Sequence, residues 1–285
     1  MNAALIGYLG PEGTFSHVAA EMYRKQNDAA AAVLQAYAEI DQLIRAVAGK
    51  EIDRAVVPVE NSLEGTVNLT LDELAVQPEV WIQGELVVAV RHSLLVGPKV
   101  ELDEITHVCS HPQALAQCRH YLARVLPQAQ VVTAASTADA ARTVKTRIGW
   151  AAIAGRSAAE RYQLLELAAG VQDQDNNATR FLIIGRRDCR PTGGDRTSIL
   201  FAAPHQPGAL YAVLGEFAAA GINLTRIESR PARSRLGEYI FHVDFEGHRR
   251  DPIAARTLQA VGRQASCLRV LGSYPRADLQ PAASS

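Results

Sequence analysis

Residues 4–22 read ALIGYLGPEGTFSHVAAEM. Ala4 to Leu9 is apolar enough for a buried strand, Gly10-Pro11-Glu12-Gly13 is turn chemistry, and Phe15, Val18, Ala19 and Met22 recur at helical spacing behind it. A strand, a glycine-rich turn and a helix make one βα step. The step repeats: Ile40, Leu43, Ile44 and Val47 predict a helix stopped by Gly49, Arg54 to Val59 a strand, and Val67, Leu71 and Leu74 another helix. Short apolar strands alternating with amphipathic helices predict a mostly parallel sheet covered by helices.

Around Pro78 to Val96 the texture changes to two strand-like runs, Val80 to Gln83 and Glu85 to Val96, read as the crossing into a second lobe. There the βα rhythm resumes: Ile105 to Cys109, a helix from Pro112 to Val125, Gln130 to Ala134, a helix capped by Ser136, and a strand from Trp150 to Ala154. A helix near Ser157 to Tyr162, an extended run from Leu164 to Val171 and a last strand from Thr179 to Gly185 follow. Lobe one is therefore expected over about 1–77 plus 165–187 and lobe two over about 78–164, with a ligand cleft between them. Residues 188–195 read as a linker, and residues 196–276 as a βαββαβ ferredoxin-like domain. Residues 277–285, Ala- and Ser-rich, read as a disordered tail.

Composition narrows the function. A net charge of -1 over 285 residues offers no field for nucleic acid or an acidic membrane, so any anion must be met locally. Cys109, Cys118, Cys189 and Cys267 form no CxxC pair, which fits reduced thiols in the cytoplasm better than a disulfide framework or a zinc site. No signal peptide and no membrane-length apolar run is legible. Neither G-x-G-x-x-G nor G-x-x-x-x-G-K-[ST] occurs, so no cofactor is expected. His107, Cys109 and His111 alternate as strand residues do, without a nearby supporting carboxylate, so no metal is expected either.

Three stretches put hydroxyls or amides where a helix begins: Gly10 to Ser16, Glu60 to Thr66, and Ser110 to Gln113. Helix N-termini carry free N–H groups and partial positive charge, so three of them converging on a cleft would hold a small polyanion. Each alone is most simply a helix cap. A fourth stretch, Asn177-Ala178-Thr179-Arg180-Phe181, enters the last strand of the first domain, and its plain reading is ordinary strand usage.

Together these stretches resemble the prephenate dehydratase family: Gly10 to Ser16 its GPxGTxS opening, Pro58 to Gly65 its PVENSxEG segment, Ser110 to Gln113 its SHPQ turn, and Thr179-Arg180-Phe181 its TRF signature. Gly208-Ala209-Leu210 and Glu228-Ser229-Arg230-Pro231 resemble the GAL and ESRP segments of that family's regulatory ACT domain. The resemblance implies an α/β catalytic domain with two lobes, like a periplasmic binding protein, followed by the ACT domain. It implies the monofunctional form, with no chorismate mutase segment ahead of Gly7.

The implied reaction is loss of carbon dioxide and water from prephenate to give phenylpyruvate, inhibited by L-phenylalanine. The resemblance assigns Thr179 and Arg180 as catalytic, and Thr14, Asn61, Ser62, Thr66, Ser110, Gln113, Asn177 and Phe181 to the substrate. It assigns the effector to Gly208, Ala209, Leu210, Asn223, Glu228, Ser229, Arg230 and Pro231, in a homodimer or dimer of dimers. Glu60 and Glu64 read equally well as folding or capping residues. Two departures stand out: Gln163 where a Gly is commoner, which should affect only a helix end, and Tyr211 after the GAL turn, which bears on effector binding. Arogenate dehydration, a decarboxylase without aromatisation, and a non-catalytic carboxylate sensor on the same fold are the alternatives. The intact TRF stretch speaks against the latter two.

Overall fold

In the computed structural model, which describes residues 3–27, 31–232 and 239–277, the opening stretch forms β1 (Leu5–Leu9) and α1 (Phe15–Gln26). The turn between them holds Gly13 at φ +89°, a conformation open to glycine and costly to other residues. The chain continues through β2 (Val33–Tyr37), α2 (Ile40–Ala48), β3 (Arg54–Asn61), β4 (Gly65–Thr66), α3 (Asn68–Val76) and β5 (Trp81–Ala89). β2 pairs parallel with β1, but much of it faces solvent, so its sequence carries no clean apolar period.

Lobe two comprises β6 (Ser93–Val96), β7 (His107–Ser110), α4 (Pro112–Gln117), α5 (Arg119–Val125), β8 (Gln130–Thr133), α6 (Thr137–Val144), β9 (Trp150–Ala154), α7 (Arg156–Tyr162) and β10 (Leu165–Ala169). β11 (Ala178–Gly185) then returns to lobe one. Lobe one is the sheet β2-β1-β3-β11-β5 with β4 on β3, and lobe two is the sheet β10-β6-β9-β7-β8. Both are mixed rather than mostly parallel, because strands beside each crossing run antiparallel: β11 with β3 and β5, β6 with β9 and β10.

The lobe boundaries differ from expectation at both crossings. β5 belongs to lobe one, since Leu86 and Val88 bury against Phe181 and Ile183, while β10 is an edge strand of lobe two. The true crossings are residues 90–92 and 170–177, and they bond to each other: Val90 N–H donates to Asn177 O and Val171 N–H to His92 O. The helix expected over Pro112 to Val125 breaks at Cys118, which is drawn fully into the core. The Asp173 carboxylate accepts from the His120 and Tyr121 N–H groups, capping α5 from the crossing segment. Gln163 ends α7 in the left-handed conformation, φ 59°, the helix-end position that the departure from the family pattern pointed to.

After a well-ordered linker come β12 (Asp195–Ala202), α8 (Ala209–Ala219), β13 (Leu224–Pro231), β14 (Tyr239–Glu246), α9 (Pro252–Gln264) and β15 (Cys267–Pro275). This is the expected βαββαβ order, with sheet order β13-β14-β12-β15. One sheet face holds the helices around Phe201, Phe217, Val243 and Phe245. The other packs on lobe one, where Leu200, Leu271 and Tyr274 join Ile82, Leu182 and Ile184 in one buried cluster. Gly272 permits that approach: a Cβ there would collide with the Ile82 backbone. Of the tail expected to be disordered over 277–285, Ala277 is placed, its N–H donating to Glu85 Oε1 at 3.0 Å, and residues 278–285 lie outside the described residues.

Candidate active site

A cavity of about 590 Å³ lies between the lobes, within the usual range for small-molecule sites. Thr14, Asn61, Thr66, Gln113, Asn177, Thr179 and Phe181 line it, together with Phe15, Glu64 and Ser136, read from the sequence as helix, folding or cap residues, and with His92, Gln117 and Thr137, which sequence reasoning did not single out. The N-termini of α1 and α6 both open on it, one from each lobe.

At its centre is a hydrogen-bonded chain whose polarity is fixed at both ends. Asn61 Oδ1 accepts from the Leu63 and Glu64 backbone N–H groups at 2.9 and 3.0 Å, so its Nδ2 must face the cleft. That nitrogen donates to Thr179 Oγ1 at 2.9 Å and to Asn177 Oδ1 at 2.8 Å. Asn177 Nδ2 donates onward to Gln117 Oε1 at 2.8 Å, and Gln117 Nε2 to Glu64 Oε1 at 3.1 Å. Because Asn61 supplies the proton to Thr179, the threonine hydroxyl keeps its own for a third group. The cleft-facing sides of Thr179 and Asn61 follow from their direct opposition across β11 and β3.

His92, from the crossing, contacts Gln117 Oε1 through Nε2 at 3.1 Å and meets the edge of Phe15. Burial lowers its pKa, which keeps the ring neutral at ordinary pH. Among the described residues no Arg or Lys lines the cavity, and Glu64 is its one acidic lining residue. Glu64 also accepts from Gln113 Nε2 at 3.3 Å, so it joins the lobes from the β3–β4 turn to α4. No group of three or more His, Cys, Asp or Glu among the described residues is placed to hold a metal. His107 instead stacks on Trp150.

Several expected site residues turn out to act elsewhere. Arg180 points away from the cleft, because side chains alternate along β11: Thr179 and Phe181 line the cavity while Arg180 lies against the ferredoxin-like domain. Ser110 is buried, its hydroxyl given to Ile153 O, and it does not reach the cavity. Ser62 ties the turn after β3 to the end of the second crossing, donating to Asn176 O and accepting from Ala178 N–H. Thr66 borders the cavity, yet its hydroxyl donates to Glu228 Oε2 at 2.8 Å and accepts from Arg226 Nη2 at 3.0 Å. Thr14 is an N-cap that also lines the cleft.

In the second domain β13 splits the same way. Ile227 and Ser229 oppose Val243 and Phe241 on the helix face, whereas Glu228 and Arg230 oppose His242 and Ile240 on the face toward lobe one. Arg230 there makes a two-pronged ion pair with Asp72. Glu228 and Arg230, expected at the effector, thus have their side chains at the junction with lobe one. Gly208, at φ 79°, opens α8, and Asn223 and Ser229 are exposed.

The architecture is that of a two-lobed α/β enzyme domain with an interlobe cleft, joined to a ferredoxin-like domain. Residues 6–189 match the family profile described as prephenate dehydratase, and residues 197–263 that of the ACT domain. The chain belongs to the prephenate dehydratase family. It is 44% identical over 274 residues to a bifunctional chorismate mutase/prephenate dehydratase of Stutzerimonas stutzeri, covering 96% of this chain and 74% of that one. A prephenate dehydratase from Arthrobacter aurescens, solved in complex with L-Phe, superposes with a TM-score of 0.87 at 36% identity, over 99% of this chain and 93% of that one. A structure described as a quorum quenching acylase, GqqA, superposes at 0.86 with 32% identity, over 95% and 98%. Fold alone therefore does not choose the reaction, and the side chains must.

Proposed function

We propose that the chain converts prephenate to phenylpyruvate, releasing carbon dioxide and water, and that L-phenylalanine bound to the ACT domain regulates it. The observation that carries the reading is the Thr179 hydroxyl, held by Asn61 with its own proton available, in a cleft rimmed by helix N-termini. In the reaction the ring carboxylate leaves as carbon dioxide, its bonding electrons enter the ring, and the ring hydroxyl departs with one added proton as water. Thr179 hydrogen-bonds that hydroxyl, as a donor or through a relay, since an alcohol is too weak an acid to ionise on its own at neutral pH. The amides of Asn61, Asn177, Gln113 and Gln117 and the α1 and α6 N-termini orient the substrate.

The effector reading rests on Gly208, Ala209, Leu210, Asn223, Ser229 and Pro231, with a carboxylate taken by the α8 N-terminus. β13 is an edge of its sheet, and pairing it across a homodimer would cover it. Among the described residues no helix is long and apolar enough to cross a membrane, and we place the protein in the cytoplasm on its reduced cysteines.

The test is phenylpyruvate formation by wild type and Thr179→Ala, each with and without L-phenylalanine, with arogenate as the second substrate. A loss of about a hundredfold or more in Thr179→Ala, with an unchanged melting curve, supports the reading. A wild type that binds prephenate and makes no phenylpyruvate turns it into a carboxylate sensor, and turnover of arogenate alone reassigns the substrate.

A further inference from the structure

The strand register sorts the middle of lobe one into two rows. Gly65, Asn61 and Thr179 stand opposite one another across β4, β3 and β11. Thr66, Glu60 and Arg180, one residue along, form the adjacent row on the other face. The first row meets the cleft and the second meets the ACT domain, with Thr66 at the rim of both, so at Thr179 and Arg180 the two are separated by the thickness of one backbone.

The second row is tied across the domain junction. Arg180 donates from Nε to Glu85 Oε2 at 2.7 Å, from Nη1 to Asp244 Oδ2 at 2.8 Å, and from Nη2 to the Tyr274 hydroxyl at 3.1 Å. Asp244 and Tyr274 belong to the ACT sheet and are buried. Ser198 of the same sheet donates to Asp244 Oδ1 and shares a hydrogen bond with Tyr274, which completes a closed network. Glu85 also receives Arg196 through both oxygens. In the same row the Thr66 hydroxyl donates to Glu228, in the strand whose other face carries Ser229.

The ladder is irregular at the same place. The pairing of β11 with β3 slips between Arg180 and Phe181, a bulge that bends a strand and re-aims its side chains. At a bulge the regular ladder fixes position less firmly, so neighbouring side-chain contacts count for more. Thr179 and Arg180 share one planar peptide, so where the anchored guanidinium holds the Arg180 backbone in place, it also holds one side of the Thr179 backbone.

We infer that Arg180 is a positioning residue acting through the sheet: its tie to Asp244 and Tyr274 makes docking of the ACT domain a condition for aligning Thr179 in the cleft. Effector binding on the helix face of β13 then reaches the cleft through the junction side chains and not through the linker. The kinetic part of this inference rests on the dehydratase reading above.

The experiment uses full-length protein and the variants Asp244→Asn, Tyr274→Phe, Arg180→Lys and the double variant of Arg180→Lys with Asp244→Asn. Asp244→Asn and Arg180→Lys should each lower kcat for phenylpyruvate at least tenfold, leave KM within threefold, and shift the midpoint of the L-phenylalanine response at least tenfold. The double variant should lose no more than the worse single one, since both break one contact. Amide exchange at residues 178–181 should accelerate at least tenfold in Asp244→Asn while the rest of the lobe-one sheet keeps its protection. If Arg180→Lys fails to fold, Asp244→Asn and the milder Tyr274→Phe carry the test. Folded Asp244→Asn with wild-type kcat and effector response, or with only a lower melting temperature, overturns the inference. A wild type without turnover refutes the dehydratase reading separately, and unchanged exchange at 178–181 would then overturn this one.

Discussion

Asn61→Asp separates the two jobs of a single side chain. The replacement is isosteric, and its retained oxygen still accepts from the Leu63 and Glu64 N–H groups, so the turn after β3 keeps its capping bonds. What is lost is the donor. A carboxylate cannot donate to Thr179 Oγ1 across the present 2.9 Å, so the threonine must turn its own proton toward the carboxylate and away from the substrate. Losing one preorganised donor to a developing charge costs about 2.7–4 kcal/mol, or 10²–10³ in kcat. The new charge adds repulsion: at roughly 5 Å from a substrate carboxylate and an effective dielectric of about 20, the cost is about 3 kcal/mol, seen as a rise in KM of about two orders of magnitude. Steady-state phenylpyruvate formation gives both parameters, and a melting curve checks the fold. Asn61→Ala is the contrast, since it removes the repulsion but forfeits the turn's bonds at about 1–2 kcal/mol of stability. Should Asn61→Asp melt like wild type with kcat within threefold, the placement of Thr179 as the assisting hydroxyl would be refuted.

Three further outcomes follow from single positions. Burial first, then Arg226, lowers the His242 pKa to about 4, so between pH 6.5 and 4 the unfolded chain binds a proton that the folded one refuses. Stability is therefore full above pH 6.5 and falls by ~3 kcal/mol as the pH drops through that window; denaturant titrations of His242→Gln should show a shallower loss. Gln163→Gly should stabilise by about 1 kcal/mol, because Gln163 pays for a left-handed conformation that glycine adopts freely, and chemical denaturation reads it directly. Gly272→Ala should cost about 1–3 kcal/mol and loosen the ACT domain from lobe one, since the added methyl meets the Ile82 backbone; a lower melting temperature with raised exchange in β5 checks it.

The βα rhythm was legible wherever a strand was buried on both faces, as in β3, and the second domain's order could be read element by element. It was not legible in β2, where partial exposure erases the apolar period, nor at the lobe crossings, where Glu85 to Val96 looks continuous although the chain leaves one sheet at Ala89 and joins the next at Ser93. Asn61, Gln113, Asn177, Thr179 and Phe181 were found by motif and do line the cleft. Arg180 came with the same motifs but does not line the cleft, and Glu228 and Arg230 face lobe one, because a short motif on a strand divides its side chains between two faces. Strand alternation applied to Thr179-Arg180-Phe181 would have signalled this. Gln117 was available too, four residues after Gln113 on a helix expected to be continuous, and therefore on the same face.

The make-up of the cleft bears on how a decarboxylating site handles two carboxylates at once. A cation paired with the departing carboxylate would stabilise the ground state more than the transition state, in which that charge is moving into the ring, and would slow its loss. The cleft lining carries Phe15, Phe181 and neutral amides, with Glu64 as its one acidic group and no Arg or Lys among the described residues, so under the proposed reaction a departing carboxylate there would lose hydration without gaining a fixed counter-charge. The carboxylate that stays needs the opposite treatment, a firm grip through the reaction, and a helix N-terminus supplies it with N–H donors and a fractional charge. The guanidinium next to Thr179 in sequence, that of Arg180, is held on the far side of the sheet by Glu85 and Asp244. That separation gives one strand a neutral face toward the cleft and a charged face toward the ACT domain.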